Sequence, residues 1–208
     1  MRPAQTGRQT PGADLGSSET SASVGRLFLG IALTDEARRA VRLHTQSERL
    51  PGRPVRPDDW HLTLRFLGET ATESLERLRE ALATADLGPH FDVVFGRLGA
   101  FPDPDRAGVL WLGVDEGAVA LTELAARVET AARCAGFEAE GRPYAPHVTL
   151  SRLRPPVDVR PLVDRVQSVQ ERMAVDAIVL FRSGTGAGPG RYEALERYPL
   201  AQIQERAC

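Results

Sequence analysis

His61-Leu62-Thr63-Leu64 and His147-Val148-Thr149-Leu150 share one pattern, in which a histidine and a threonine alternate with two apolar residues. The chain holds only 4 histidines. Two of them fall in this frame, 86 positions apart (147 − 61). With thirteen threonines in 208 residues, composition alone would give two such tetrads with odds of roughly one in a thousand. Side chains alternate faces along a strand, so each His and Thr would point one way while the Leu and Val residues enter a core. Two such strands side by side would offer two imidazoles and two hydroxyls to one cleft: an acid, a base and two donors for an anion.

Working outward from the tetrads, RLFLGIAL (26–33) reads as a buried strand. Thr34 or Asp35 then caps a helix through about Arg49, with Ala37, Ala40, Val41 and His44 on its inner stripe. A Pro-rich connector (51–57) leads into a strand over Trp60–Leu67, and Thr72 with Leu75, Leu78 and Leu82 marks a helix ending near Gly88. FDVVFGRLGAF (91–101) and GVLWLGVD (108–115) are strands around a turn-rich loop. Val119–Ala135 is a helix with Gly136 as its stop. A strand over Pro146–Arg152, a short helix around 158–169, a strand over Met173–Arg182, a glycine-rich turn (183–190) and a strand over Arg191–Tyr198 complete the sequence. A strand and a helix precede each tetrad, so the pattern predicts an α+β fold. It has two similar lobes of antiparallel sheet, helices outside and a central cleft. Residues 1–23 are rich in Gly, Ser, Thr and Pro and read as a disordered tail, with the bilobal domain over 24–208.

The formal charge of −2 gives no argument for long-duplex or polybasic membrane binding. All 26 basic residues are arginine, the better bidentate ligand for phosphate. Cys134 and Cys208 form no disulfide framework, and no apolar run or leader pattern is present, so the chain is expected to be cytoplasmic. A zinc site would need three or four converging ligands, and no Cys or third His sits in sequence beside either tetrad. No metal or cofactor is expected. His44 and His90 lack the pattern and read as structural.

Trp60 followed by HLTLRFLGE (61–69), and RPYAPHVTLSR (142–152), resemble the two signatures of the 2H phosphoesterases. More narrowly they resemble the bacterial and archaeal RNA 2′,3′-cyclic phosphodiesterases, first known as 2′-5′ RNA ligases. RLFLGIAL, the FP…GVLWLGV segment and VLFRS…GPGRYEALERYPL extend the likeness over about residues 25–200. The resemblance implies hydrolysis of a terminal 2′,3′-cyclic phosphate on RNA to a 2′-phosphate without a cofactor. It casts His61 as proton donor to the 3′-oxygen and His147 as proton acceptor from water; the near-symmetric tetrads do not themselves fix that polarity. Thr63 and Thr149 would donate to the phosphate. Arg152 would bind it too, although strict alternation places Arg152 opposite His147 unless the strand ends or bulges. Phe66, at the equivalent place after the first tetrad, is a candidate for base stacking or core packing. Arg142 and Tyr144 are candidates for the substrate rim. Ligation onto a 5′-hydroxyl is the same chemistry reversed. The alternatives are a relative acting on small cyclic phosphates or 2′-5′ oligonucleotides, and a non-catalytic RNA- or nucleotide-binding module of the same fold. The partner is RNA or a nucleotide; no membrane or protein partner is implied, and the chain is expected to be a monomer.

Overall fold

The computed structural model describes residues 22–46, 48–184 and 191–202. Its strands are β1 (Ser23–Ala32), β2 (Arg53–Pro54), β3 (His61–Ala71), β4 (Phe91–Phe101), β5 (Ala107–Glu116), β6 (Val148–Val157), β7 (Arg172–Val175), β8 (Ala177–Ser183) and β9 (Tyr192–Pro199). The helices are α1 (Asp35–Thr45), α2 (Thr72–Thr84), α3 (Ala118–Cys134) and α4 (Arg160–Arg165). The strands form a single curled antiparallel sheet in the order β7-β4-β5-β6-β3-β1-β8-β9, with β2 clipped to β6.

That order is symmetric about the β6–β3 junction. One half runs outward through β5, β4 and β7, the other through β1, β8 and β9. The predicted α+β fold with two similar antiparallel lobes is therefore present, and the lobes are halves of one sheet. Among the described residues one ladder pair, Leu62 with Val148, joins β3 to β6. Both side chains are fully buried. In an antiparallel ladder paired positions sum to a constant, so this register sets His61 across from Thr149 and Thr63 across from His147.

The apolar alternation decides which sheet face the helices cover. Leu27, Leu29 and Ile31 of β1, Leu62 and Leu64 of β3, and Val148 and Leu150 of β6 share one core with Val41 of α1, Leu75, Leu78 and Leu82 of α2, and Leu121, Leu124 and Val128 of α3. Phe28 and Phe181 are also buried, but they stand outside that cluster, on the sheet face without helices.

The Thr34 hydroxyl accepts from the Ala37 N–H at 3.2 Å and starts α1 as expected. The helix stops at Thr45, short of the predicted Arg49, where the Thr45 hydroxyl donates back to the Val41 carbonyl at 2.9 Å. Gly136 ends α3 at φ 91°. Its N–H bonds the Arg133 carbonyl at 2.9 Å and the Phe137 N–H bonds the Ala132 carbonyl at 3.1 Å, a Schellman turn. The helix expected around 158–169 occupies only Arg160–Arg165. The strand expected over Met173–Arg182 is two strands broken at Asp176. β7 pairs with β4 at one edge of the sheet and β8 with β1 in the opposite half. The fully buried apolar positions shift from the odd frame of Met173 and Val175 to the even frame of Ile178 and Leu180 across that break. One residue thus spans from one end of the sheet to the other half, which requires the sheet to curl. The tail reading for residues 1–23 falls, except for its last two residues, outside the described residues, as does most of the glycine-rich turn. Among the described residues no helix is long and apolar enough to cross a membrane.

Candidate active site

Both histidines are held by the same device. The His61 Nδ1 lies 2.8 Å from the carbonyl of Asp59, and the His147 Nδ1 lies 2.7 Å from the carbonyl of Ala145. A carbonyl only accepts, so each Nδ1 carries the proton and each neutral ring keeps its Nε2 lone pair for chemistry. His61 opens β3, and His147 stands one residue before β6 begins. Burial pushes both imidazoles below the ordinary histidine value. The backbone carbonyls oppose that shift, and the positive charge of Arg152 adds to it at both rings. A single guanidinium therefore acts on two histidines that lie in different halves of the chain.

Arg152 reaches that position through a bulge. Trp111 pairs with Thr149 and Leu110 with Ser151, so β6 spends one extra residue against β5. Leu150 and Ser151 are consequently both fully buried, Ser151 donating to the Pro51 carbonyl, and Arg152 emerges exposed. The conflict with strict alternation is resolved in favour of the cleft. β3 repeats the irregularity at the same place: Gly30 pairs with Thr63 and Leu29 with Arg65. Arg65 turns to the helix side, where its Nε donates to Glu129 at 2.5 Å. Phe66 turns to the cleft face, 53% exposed and 6.0 Å from the Phe28 ring. Core packing is thus not the role of Phe66. Neither Thr63 nor Thr149 spends its hydroxyl on another described residue in a hydrogen bond; both are half-buried beside their histidines.

The rim candidates are placed differently. Arg142 extends into solvent and meets Glu140 at 3.4 Å. Tyr144 packs against the core with its hydroxyl buried and unpartnered, and burial raises its pKa. Among the described residues neither makes a hydrogen bond, ion pair or ring contact with either histidine. His44 remains on α1 and His90 in the β-bridge region beside Pro89, away from the cleft.

Sequence reasoning missed the aromatic walls. His61 lies against Phe28 at 4.7 Å and meets the edge of Tyr192 at 4.9 Å. His147 meets Phe101 edge-on at 5.0 Å and Trp111 at 6.2 Å. The period-two pattern of RLFLGIAL already separates Phe28 from Leu27, Leu29 and Ile31, and that signal could have found it. It also missed Asp59, only 2% exposed, whose carbonyl orients His61 while its carboxylate accepts the Arg191 N–H at 2.8 Å. That bond ties the start of β9, and with it Tyr192, to the first tetrad. Among the described residues no three His, Cys, Asp or Glu side chains converge as metal ligands would.

The family model described as LigT like Phosphoesterase matches the chain twice, over residues 31–111 and 112–190. The RNA 2′,3′-cyclic phosphodiesterase of Escherichia coli is 33% identical over 181 residues, covering 85% of this chain and 97% of that protein. The protein of the same name from Geobacillus stearothermophilus is 33% identical over 179 residues, covering 83% of this chain; the chain spans 56% of that relative's length. Among solved structures, E. coli LigT complexed with 3′-AMP superposes with a TM-score of 0.70 at 30% identity, over 86% of this chain and 99% of that one.

Proposed function

The chain belongs to the LigT-like phosphoesterase family, and from that membership we propose that it hydrolyses 2′,3′-cyclic phosphodiester ends of RNA to 2′-phosphates by two-histidine acid–base catalysis. The observation that carries the proposal is the matched pair of imidazoles, each with Nδ1 bound to a backbone carbonyl and Nε2 left free. In-line opening of a cyclic phosphodiester needs a base on one side of phosphorus and an acid on the other. His147 accepts a proton from water as the water oxygen bonds phosphorus. His61 gives its proton to the 3′-oxygen as the bond from phosphorus to that oxygen breaks. The product carries a 2′-phosphate and a free 3′-hydroxyl, and the two rings exchange protons with solvent before the next turnover. Thr63 and Thr149 donate to non-bridging oxygens, where charge concentrates in the transition state. Arg152, unpaired with any carboxylate among the described residues, supplies the fixed positive charge. Phe66, whose ring is exposed, stacks the terminal base in this reading. An RNA substrate agrees with a cytoplasmic monomer that needs no protein partner.

The direct test incubates the protein with RNA ending in 2′,3′-cyclic phosphate and separates the isomeric products. A 2′-phosphate supports the assignment of the leaving oxygen. A 3′-phosphate means that the ring opens on the other side, and no turnover removes the proposal.

A further inference from the structure

The two cleft walls descend from one repeated frame, yet they carry different chemistry. Five residues beyond each histidine stand Phe66 on β3 and Arg152 on β6; seven beyond stand Gly68 and Arg154. Arg154 is exposed two residues further along, in the stretch after Arg152 where β6 spends three more residues than β5 before pairing resumes at Val157 and Ala107. The β2 clip adds a third guanidinium to the same wall. Arg53 is the antiparallel partner of Arg152, and directly opposed residues put their side chains on one face, Cβ atoms roughly 5 Å apart. Like charges set opposite one another are unfavourable in a sheet. Nevertheless, none of Arg53, Arg152 and Arg154 is within ion-pair distance of a carboxylate among the described residues; of the other described arginines eleven are and nine are not. A cluster of uncompensated guanidiniums that begins at the reacting centre and continues away from it is suited to several phosphates in succession.

We propose that Arg53 and Arg154 form a track for the polynucleotide 5′ to the cyclic end, so that the RNA strand leaves the cleft across β6 and β2. This rests on the function proposed above and sharpens it: the enzyme acts on strand ends in preference to free cyclic mononucleotides. The cyclic phosphate lies between the histidines, the terminal base meets the Phe66 wall, and the next phosphates descend onto the arginine wall.

The test uses the full chain, the double variant Arg53→Ala/Arg154→Ala, and Arg133→Ala on the exposed side of α3 as a control for general charge. Two readouts are taken. One is kcat/KM on adenosine 2′,3′-cyclic phosphate and on a short oligoadenylate with the same cyclic end. The other is the affinity of a fluorescent oligoadenylate ending in 2′-phosphate, measured against salt. The double variant is expected to lose roughly tenfold on the oligonucleotide and to stay within about twofold of wild type on the mononucleotide. The slope of log affinity against log salt should fall by about 1.4, at about 0.7 for each phosphate of a single strand that is no longer neutralised. Equal losses on both substrates, an unchanged slope, or the same effect from Arg133→Ala would overturn the track. If wild type binds the oligonucleotide with the expected arginine and salt dependence but hydrolyses neither substrate, the hydrolase reading fails and the track stands.

Discussion

At the scale of single residues, the side chains that matter act through what constrains them. His61 and His147 owe their usable Nε2 atoms to two backbone carbonyls, so removing a ring deletes the chemistry while leaving the device that held it. His61→Ala and His147→Ala should each lower kcat/KM by roughly 10²–10⁴-fold on a cyclic phosphate end. The double variant should be little worse than the poorer single, because acid and base serve one transition state. Near-wild-type rates from either single variant would contradict the assignment. Arg152 gives a subtler test. In the proposed mechanism activity needs His147 neutral, which sets the acid limb of the kcat/KM profile, and His61 protonated, which sets the alkaline limb. Both rings sit below the ordinary histidine value, so the optimum should lie on the acid side of about 6.5. Arg152→Gln removes a charge that holds both down and should move both limbs to higher pH, in addition to slowing the reaction. A slower enzyme with an unmoved profile would mean that the charge does not act on the rings. Both histidines were legible in the sequence, since a two-residue spacing on a strand fixes a common face. Asp59 and Tyr192 were not, because their importance arises from contacts between segments remote in sequence.

At the scale of elements, the two tetrads share a device that no alternation rule supplies. A bulge after Thr63 and another after Thr149 shift the frame by one residue. The shift delivers Phe66 and Arg152 to the cleft and sends Arg65 and Ser151 to the other side. Bulges depend on how a partner strand pairs, so the sequence of β3 or β6 alone shows at most that alternation must break. Helix ends were more legible, since their signals are local. Gly136 holds φ 91° with open space around its absent Cβ, so Gly136→Ala is strained by its backbone alone. It should cost about 1 kcal/mol in chemical denaturation, with kcat/KM on the cyclic end unchanged. A loss of activity without loss of stability would show that this turn positions the segment leading to His147.

At the scale of the whole molecule, Leu62 and Val148 are the one ladder pair between β3 and β6 among the described residues, and the candidate site straddles it. The groups gathered there are two imidazoles, two hydroxyls and a guanidinium, a set suited to moving protons and binding phosphate and short of the three or four ligands of a zinc site. Hydrolysis of the cyclic end should therefore survive exhaustive dialysis against EDTA; loss that Zn²⁺, Mn²⁺ or Mg²⁺ restores would refute the acid–base account. The sequence by itself determined the α+β class, most of the elements, and the common frame of the two tetrads that makes them the candidate site. Those features follow from periodicity, capping and turn residues, which act within a few positions along the chain. Only the tertiary structure decided that the lobes form one sheet, that the stretch from Met173 to Arg182 parts at Asp176 to serve both halves, and that His61 faces Thr149. It also decided that aromatic rings flank both histidines, Phe28 and Tyr192 at His61 and Phe101 and Trp111 at His147. Each of these depends on strand pairing across long stretches of chain, where register is chosen by burial of the whole sheet face rather than by any local preference.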